Sequence, residues 1–323
     1  MGAANRKHPE RREPGLPSML QRLDERHVDR GARALNRVHR RTFLRGGVAS
    51  LLGLTAMAHV SRAAGNEAGI DTRDVARSLI PFDQLTPPTQ DRLWGVVERP
   101  TIHRRLPVQV TGCDPDLYVF FLRHPEVIVN MWQLMGITTL SVRRTGAYSF
   151  DAKDGVGTQA KVELVYGTPD THVFFADGAY EGPLLKRRTP GRCVLVLKSG
   201  YVKGNQDRTQ VTSQLDAFLQ LDQAGAEVVA RTLQPLIGKT ADHNFGETLL
   251  FVSRVSQAVE KNATGVQRLA TRMSGVDPAV REKFVQVATS VNHRAMLRQP
   301  QPNTSATLND DDSVTLPTST SGS

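Results

Sequence analysis

Cysteine is scarce in this chain. Its 323 residues hold two, Cys113 and Cys193, and their separation is far from the roughly 2–4-residue spacing of paired zinc ligands. Catalytic signatures are missing as well. There is no Gly-x-Ser-x-Gly elbow, no phosphate-cradling glycine loop and no paired metal-ligand motif, so neither a cofactor nor a metal is expected. Also absent is an uninterrupted apolar run of about 20 residues, which excludes an integral membrane span.

What is present begins with Arg40-Arg41-Thr42-Phe43-Leu44-Arg45, followed by a mild apolar run from Gly46 to Val60. That run is diluted by Gly46, Gly47, Ser50, Gly53 and Thr55, and small residues at Ala56-Met57-Ala58 or Ser61-Arg62-Ala63 offer a cleavage site. The arrangement resembles a twin-arginine export signal, an address read by a receptor rather than an anchor. It departs from the common pattern in carrying Arg45 where Lys is more usual and in its long polar start. The resemblance implies a signal over residues 1–63 and a periplasmic or secreted product. An oxidising compartment would permit a Cys113–Cys193 bridge. Folding in the reducing cytoplasm before export favours two buried or half-buried thiols instead.

The signal also changes the meaning of the charge. The whole chain is +9, but residues 1–63 carry 13 Lys and Arg against 5 Asp and Glu, leaving 28 against 27 beyond them. A nearly neutral remainder has no global electrostatic footprint for nucleic acid, so no nucleic-acid partner is expected. Local pairs such as Arg104-Arg105 and Arg143-Arg144 read as solvated strand ends or hairpin loops. Residues 64–100 are sparse in periodic apolar positions and read as a linker and N-terminal extension. Residues 299–323, rich in Pro, Asn, Thr and Ser, read as a disordered tail.

Between them, residues 101–298 are expected to fold as one α+β domain. A strand is predicted from about Thr101 to Val110. His124-Pro125-Glu126 begins a helix whose apolar residues, from Val127 to Met135, run nearly all round it, the mark of a buried helix. From Ile137 to Asp222 the apolar period becomes two, as at Ala160, Val162, Leu164 and Tyr166. Turn signals at Asp154-Gly155, Thr168-Pro169-Asp170, Thr189-Pro190-Gly191 and Gly204-Asn205 divide the run into about five or six antiparallel strands. Helices follow. The first covers Gln223 to Leu233 and breaks near Pro235 and Gly238. A second is capped by Thr240 with a stripe of Phe245, Leu249, Val252, Ser256 and Val259. A third starts at Asp277-Pro278 and buries Val280, Phe284, Val287 and Val291.

This element order, with the long last strand through Asp216-Ala217-Phe218-Leu219-Gln220-Leu221-Asp222 leading into a closing helix, resembles the START or SRPBCC superfamily. The resemblance covers about Thr101 to Glu260. It implies a helix-grip fold, a curved antiparallel sheet packed against long C-terminal helices, with a lipid or other apolar small molecule held between sheet and helix. It carries over no catalytic residues. On that reading Tyr148, Tyr166, Phe174 and Tyr201 supply walls, and Arg143, Arg144 or His172 a polar end for a headgroup or carboxylate. The aromatics serve equally well as plain core.

Two other functions are open. Asp242, His243 and Glu247 stand near a helix start, with His243 and Glu247 at the i, i+4 spacing that suits a metal or an acid–base pair. A capped helix start bearing a surface pair has the same appearance. The chain would otherwise be an envelope interaction protein, with the Trp132 helix or the closing helices against a partner.

Overall fold

The computed structural model describes residues 72–182, 185–204, 207–222 and 226–298. The expected signal at 1–63 and the expected tail at 299–323 lie outside them. Eight strands form one antiparallel sheet. They are β1 (Ile102–Arg105), β2 (Gln109–Gly112), β3 (Ser141–Arg144), β4 (Ser149–Lys153), β5 (Thr158–Gly167), β6 (Thr171–Gly182), β7 (Leu185–Lys203) and β8 (Thr209–Leu221). Their order is β1-β8-β7-β6-β5-β4-β3, with β2 also on β8.

Six of them, β3 to β8, fall between residues 137 and 222 as the alternating pattern implies. The sheet grows to eight because the strand predicted over Thr101–Val110 joins its edge in two pieces. The Leu106 amide still donates to the Leu215 carbonyl at 2.8 Å. Pro107, which has no N–H to give, interrupts the ladder there.

The turn predicted at Thr189-Pro190-Gly191 is not a turn. Those residues lie inside the 19-residue β7. Strand β8 pairs with β7 only from Gly191 onward, so Pro190 sits where β7 is still a sheet edge, the place where a strand tolerates proline. Gly191 faces Gly178 of β6 across the ladder. A Cβ on Gly178 would stand 2.3 Å from the Gln159 carbonyl oxygen, and one on Gly191 2.9 Å from that of Gln220. Backbone thus approaches backbone more closely than any side chain allows. Register shifts at Leu164/Tyr166 and Tyr180/Gly182 add curvature.

The chain between β2 and β3 forms two short helices, α3 (Pro115–Arg123) and α4 (Pro125–Leu134). Asp114 caps the first, accepting from the Asp116 amide at 3.0 Å and the Leu117 amide at 3.4 Å. Three helices close the fold: α5 (Ala226–Lys261), α6 (Ala263–Arg272) and α7 (Pro278–Arg298). The break expected near Pro235 and Gly238 does not occur, since α5 runs through both. Proline removes one backbone bond from a helix this long and leaves the others in place. On α5 Leu249, Val252, Ser256 and Val259 are buried, as the stripe predicts. On α7 Val280, Phe284 and Val291 are buried and Val287 packs at the core margin. Phe284 stacks on Phe120 with ring centroids 5.7 Å apart.

Residues 64–100 are not simply a linker. Helices α1 (Thr72–Leu79) and α2 (Pro87–Val97) lie there and cover the outer face of the sheet. Ala76, Ile80, Leu93, Val96 and Val97 pack with Val173, Phe175, Val194, Val196 and Phe218 in a second core. The apolar residues are few, but 93, 96 and 97 have helical spacing and fall on one side. Among the described residues no helix is long and apolar enough to cross a membrane.

Candidate functional site

The inner face of the sheet and helices α3, α4 and α5 enclose a cavity of about 240 Å³. Its walls come from both ends of the sheet order, Ile102 of β1 and Val142 of β3. A flat sheet with those strands at its edges would span roughly 29 Å at about 4.8 Å per strand, so it has curled to bring them to one small space. Strand alternation supplies the floor: Phe174 and Ala176 of β6, Cys193, Leu195 and Leu197 of β7, and Leu215, Ala217 and Leu219 of β8. The roof is one stretch of α5, with Ala241, Phe245, Thr248, Leu249 and Val252. Tyr118, Phe121 and Leu122 of α3, and Ile128, Val129 and Trp132 of α4, close the side.

Few polar groups reach this space. Tyr118 Oη is engaged with Ser213 Oγ at 2.8 Å and Ser199 Oγ at 3.2 Å, so its hydroxyl is satisfied within the wall. Burial pushes the Cys193 thiol up to about 12, which keeps it neutral and a poor nucleophile. Both cysteines are free and buried. The one charged side chain on the wall among the described residues is Arg104, and its Nη2 donates to Asp242 Oδ2 at 2.5 Å.

Of the seven residues singled out in the sequence, only Phe174 lines the cavity. The pleat turns Arg143 outward, where it pairs with Asp151 at 2.6 Å. Arg144 is committed elsewhere. Its Nε donates to Glu126 Oε1 at 2.8 Å, its Nη2 to the Arg123 carbonyl at 2.8 Å, and its guanidinium lies over the Phe150 ring. Burial raises the Glu126 carboxyl, but hydrogen bonds from His124 and Arg144 outweigh it and leave Glu126 below its ordinary value. This cluster pins the α3–α4 junction to β3. Tyr148 is exposed. Tyr166 belongs to the outer face, donating its hydroxyl to Gln84 Oε1 at 2.7 Å. Tyr201 donates to the Pro169 carbonyl at 2.5 Å and meets the Tyr118 ring edge-on; burial, then neighbouring Tyr118, lifts its hydroxyl to about 12. His172 is wholly buried with neither ring nitrogen bonded among the described residues. Burial, then the charge of Arg123, brings it down to about 4, so it is neutral and cannot anchor an anion.

Two of the acid–base trio can be placed. Asp242 is tied to Arg104, and His243 is exposed to solvent. Among the described residues no group of three His, Cys, Asp or Glu is arranged to hold a metal.

Sequence reasoning missed Arg104, which reads as half of a solvated pair. The available signal was alternation: Ile102, Arg104 and Leu106 share one face of the edge strand, and all three line the cavity.

No family model matches the chain, and no curated protein does. Several solved structures resemble it at low identity. A hypothetical protein from Helicobacter pylori is 13% identical over 62% of this chain and 99% of its own, with a TM-score of 0.32. A conserved protein from Geobacillus kaustophilus is 13% identical over 48% of this chain and 93% of its own, at 0.30. Norcoclaurine synthase from Thalictrum flavum is 9% identical over 62% of this chain and 98% of its own, also at 0.30. Matches this distant carry no information about ligand or chemistry.

Proposed function

We propose that this chain is exported by the twin-arginine route and binds an apolar small molecule or lipid between sheet and helix. The carrying observation is the cavity of about 240 Å³ with its almost wholly apolar wall. An apolar cavity of about 150 Å³ lined by Leu, Ile and Phe stays dry and takes up benzene, so a space half as large again suits a larger apolar guest. Among the described residues the wall offers no nucleophile with a base beside it, which favours binding over catalysis. Export is supported by Arg40-Arg41-Thr42-Phe43-Leu44-Arg45 and by the basic charge concentrated around it.

Native mass spectrometry of the protein recovered from the periplasm is the test. A retained small molecule, lost when Ala217→Phe fills the cavity, is the expected result; protein that is empty after gentle isolation and takes up no apolar probe would refute binding. Export is checked separately. Lys at positions 40 and 41 should hold the precursor in the cytoplasm, and unchanged export would refute that part alone.

A further inference from the structure

A guest enclosed by sheet and helices needs a way out, and His172 stands where one can be made. Alternation along β6 puts it on the same inner face as Phe174 and Ala176, and its ladder partner on β7 is Leu197; those three line the cavity. On its other side the partner is Gly167 of β5, where a Cβ would stand 3.4 Å from His172 Cδ2. Helix α3 lies over this end of the sheet. Its Tyr118 hydroxyl reaches Ser199 and Ser213, and its last residue, Arg123, donates from Nη2 to the Gly167 carbonyl at 3.3 Å. A cation that belongs to the cavity wall is therefore pinned beside the ring.

The ring is wholly buried, and neither nitrogen has a partner among the described residues. A neutral imidazole leaves two polar atoms unmet there, whereas an imidazolium would bury two N–H donors and a full charge. The surrounding groups offer that charge little. From α3 comes Arg123, of like sign, and next to it His124, which is engaged with Arg144 Nη2 at 2.9 Å. From the β5–β6 hairpin comes Asp170, exposed, its carboxylate already accepting from Thr168 Oγ1 at 2.5 Å. On β7, Lys198 lies on the outer face with Thr171 Oγ1, and the Tyr201 hydroxyl donates to the Pro169 carbonyl.

We propose that His172 is an acid-operated release for the cavity: on taking up a proton from solvent the ring repels Arg123 and lifts the end of α3 from the sheet, carrying with it the wall formed by Tyr118, Phe121 and Leu122. The proton stays on the ring, which reaches water in the opened state. Closed, the ring is held near 4 against an ordinary 6.5, so the closed state is fully favoured above pH 6.5 and loses ground as pH falls. Between pH 7.5 and 5 the opened state gains about thirtyfold. The purpose of the opening rests on the cavity being a binding site; the opening itself does not.

The test is hydrogen exchange of the α3 amides in the full-length protein at pH 7.5 and 5, corrected for intrinsic rates and set against the global unfolding constant from urea denaturation at the same pH. Protection of α3 should fall about thirtyfold at pH 5 and stay at least about tenfold below what global unfolding alone allows. In His172→Leu the fall should be less than about threefold. Naphthalene, uncharged at both pH values, should leave the wild type correspondingly faster at pH 5 and leave the variant at one rate. Exchange of α3 only through global unfolding at both pH values would overturn the proposal, and that comparison stands alone if the variant fails to fold. An equal fall in His172→Leu would overturn it too, by placing the titrating group elsewhere. Naphthalene that binds at neither pH would refute the cavity reading alone, since exchange needs no ligand.

Discussion

Arg104 and Arg105 are neighbours on one strand, yet they meet opposite fates on the two faces of the sheet. Arg105 turns to the outer face, where its Nε donates to both oxygens of Asp216 at 3.0 and 3.2 Å, and His103 Nε2 adds a third contact at 3.1 Å. Arg104 turns inward and makes one contact with Asp242, with an atom of each partner left unmet. The surroundings differ in the same sense. The outer face is filled, with Phe218 wholly buried beneath α1 and α2. The inner face stops short of the helices and leaves a hollow. A sheet closed on one side and incompletely closed on the other has one face that is fully packed and one that borders open space.

Four measurements test that division. The largest effect is expected on the filled face, where Phe218→Ala should cost about 3–5 kcal/mol in urea denaturation, because it empties a site with no room to relax. Phe174→Ala, which borders a space already there, should cost less than half as much. Equal losses would mean that the hollow is closed in solution.

Next is His172, whose ring must be neutral to stay buried among inner-face residues, with Arg123 and Asp170 its nearest charges. The folded state holds its pKa near 4 against an ordinary 6.5, so the unfolded chain takes up the proton first. The stabilisation is complete above pH 6.5 and declines as pH falls toward 4, by about 3 kcal/mol at 1.36 kcal/mol per unit. His172→Leu should flatten the dependence of the denaturation midpoint between pH 6.5 and 4.5. An unchanged slope would show that the ring is hydrated in solution.

A smaller contrast comes from making the same change on each side. Ala76→Leu adds bulk to a packed site on the outer face and should cost about 1–3 kcal/mol. Ala217→Leu adds it to the hollow and should alter stability by less than about 1 kcal/mol while weakening uptake of an apolar probe. Smallest of all, Arg143→Ala should change stability by less than about 0.5 kcal/mol and leave binding untouched, since its pair with Asp151 is a surface one.

The elements legible in the sequence are those with one apolar face. The stripes of α5 and α7 and the all-round apolar α4 meet a single core or lie wholly within one, so period and burial agree. Where both faces of an element are covered the pattern loses its meaning. In Val194-Leu195-Val196-Leu197 every residue is apolar, because Val194 and Val196 belong to the outer core while Leu195 and Leu197 line the cavity. Nothing in such a run says which half borders empty space. This is why aromatic residues proposed as walls went mostly elsewhere, Tyr166 to the outer core and Tyr148 to solvent. Pro190-Gly191 misled for a related reason: a bend within a long strand and a turn between two short ones use the same residues, and only the position of β8 distinguishes them.

The facing glycines 178 and 191 have a consequence for how the molecule can change. Neither position accepts even a methyl group without backbone giving way, so the close approach of the strands at these two points is set by main chain alone. The hollow is bounded instead by side chains of the strands and of helices α3, α4 and α5. Substitution can therefore reshape the space through its lining side chains, while the backbone at the two glycines stays as it is.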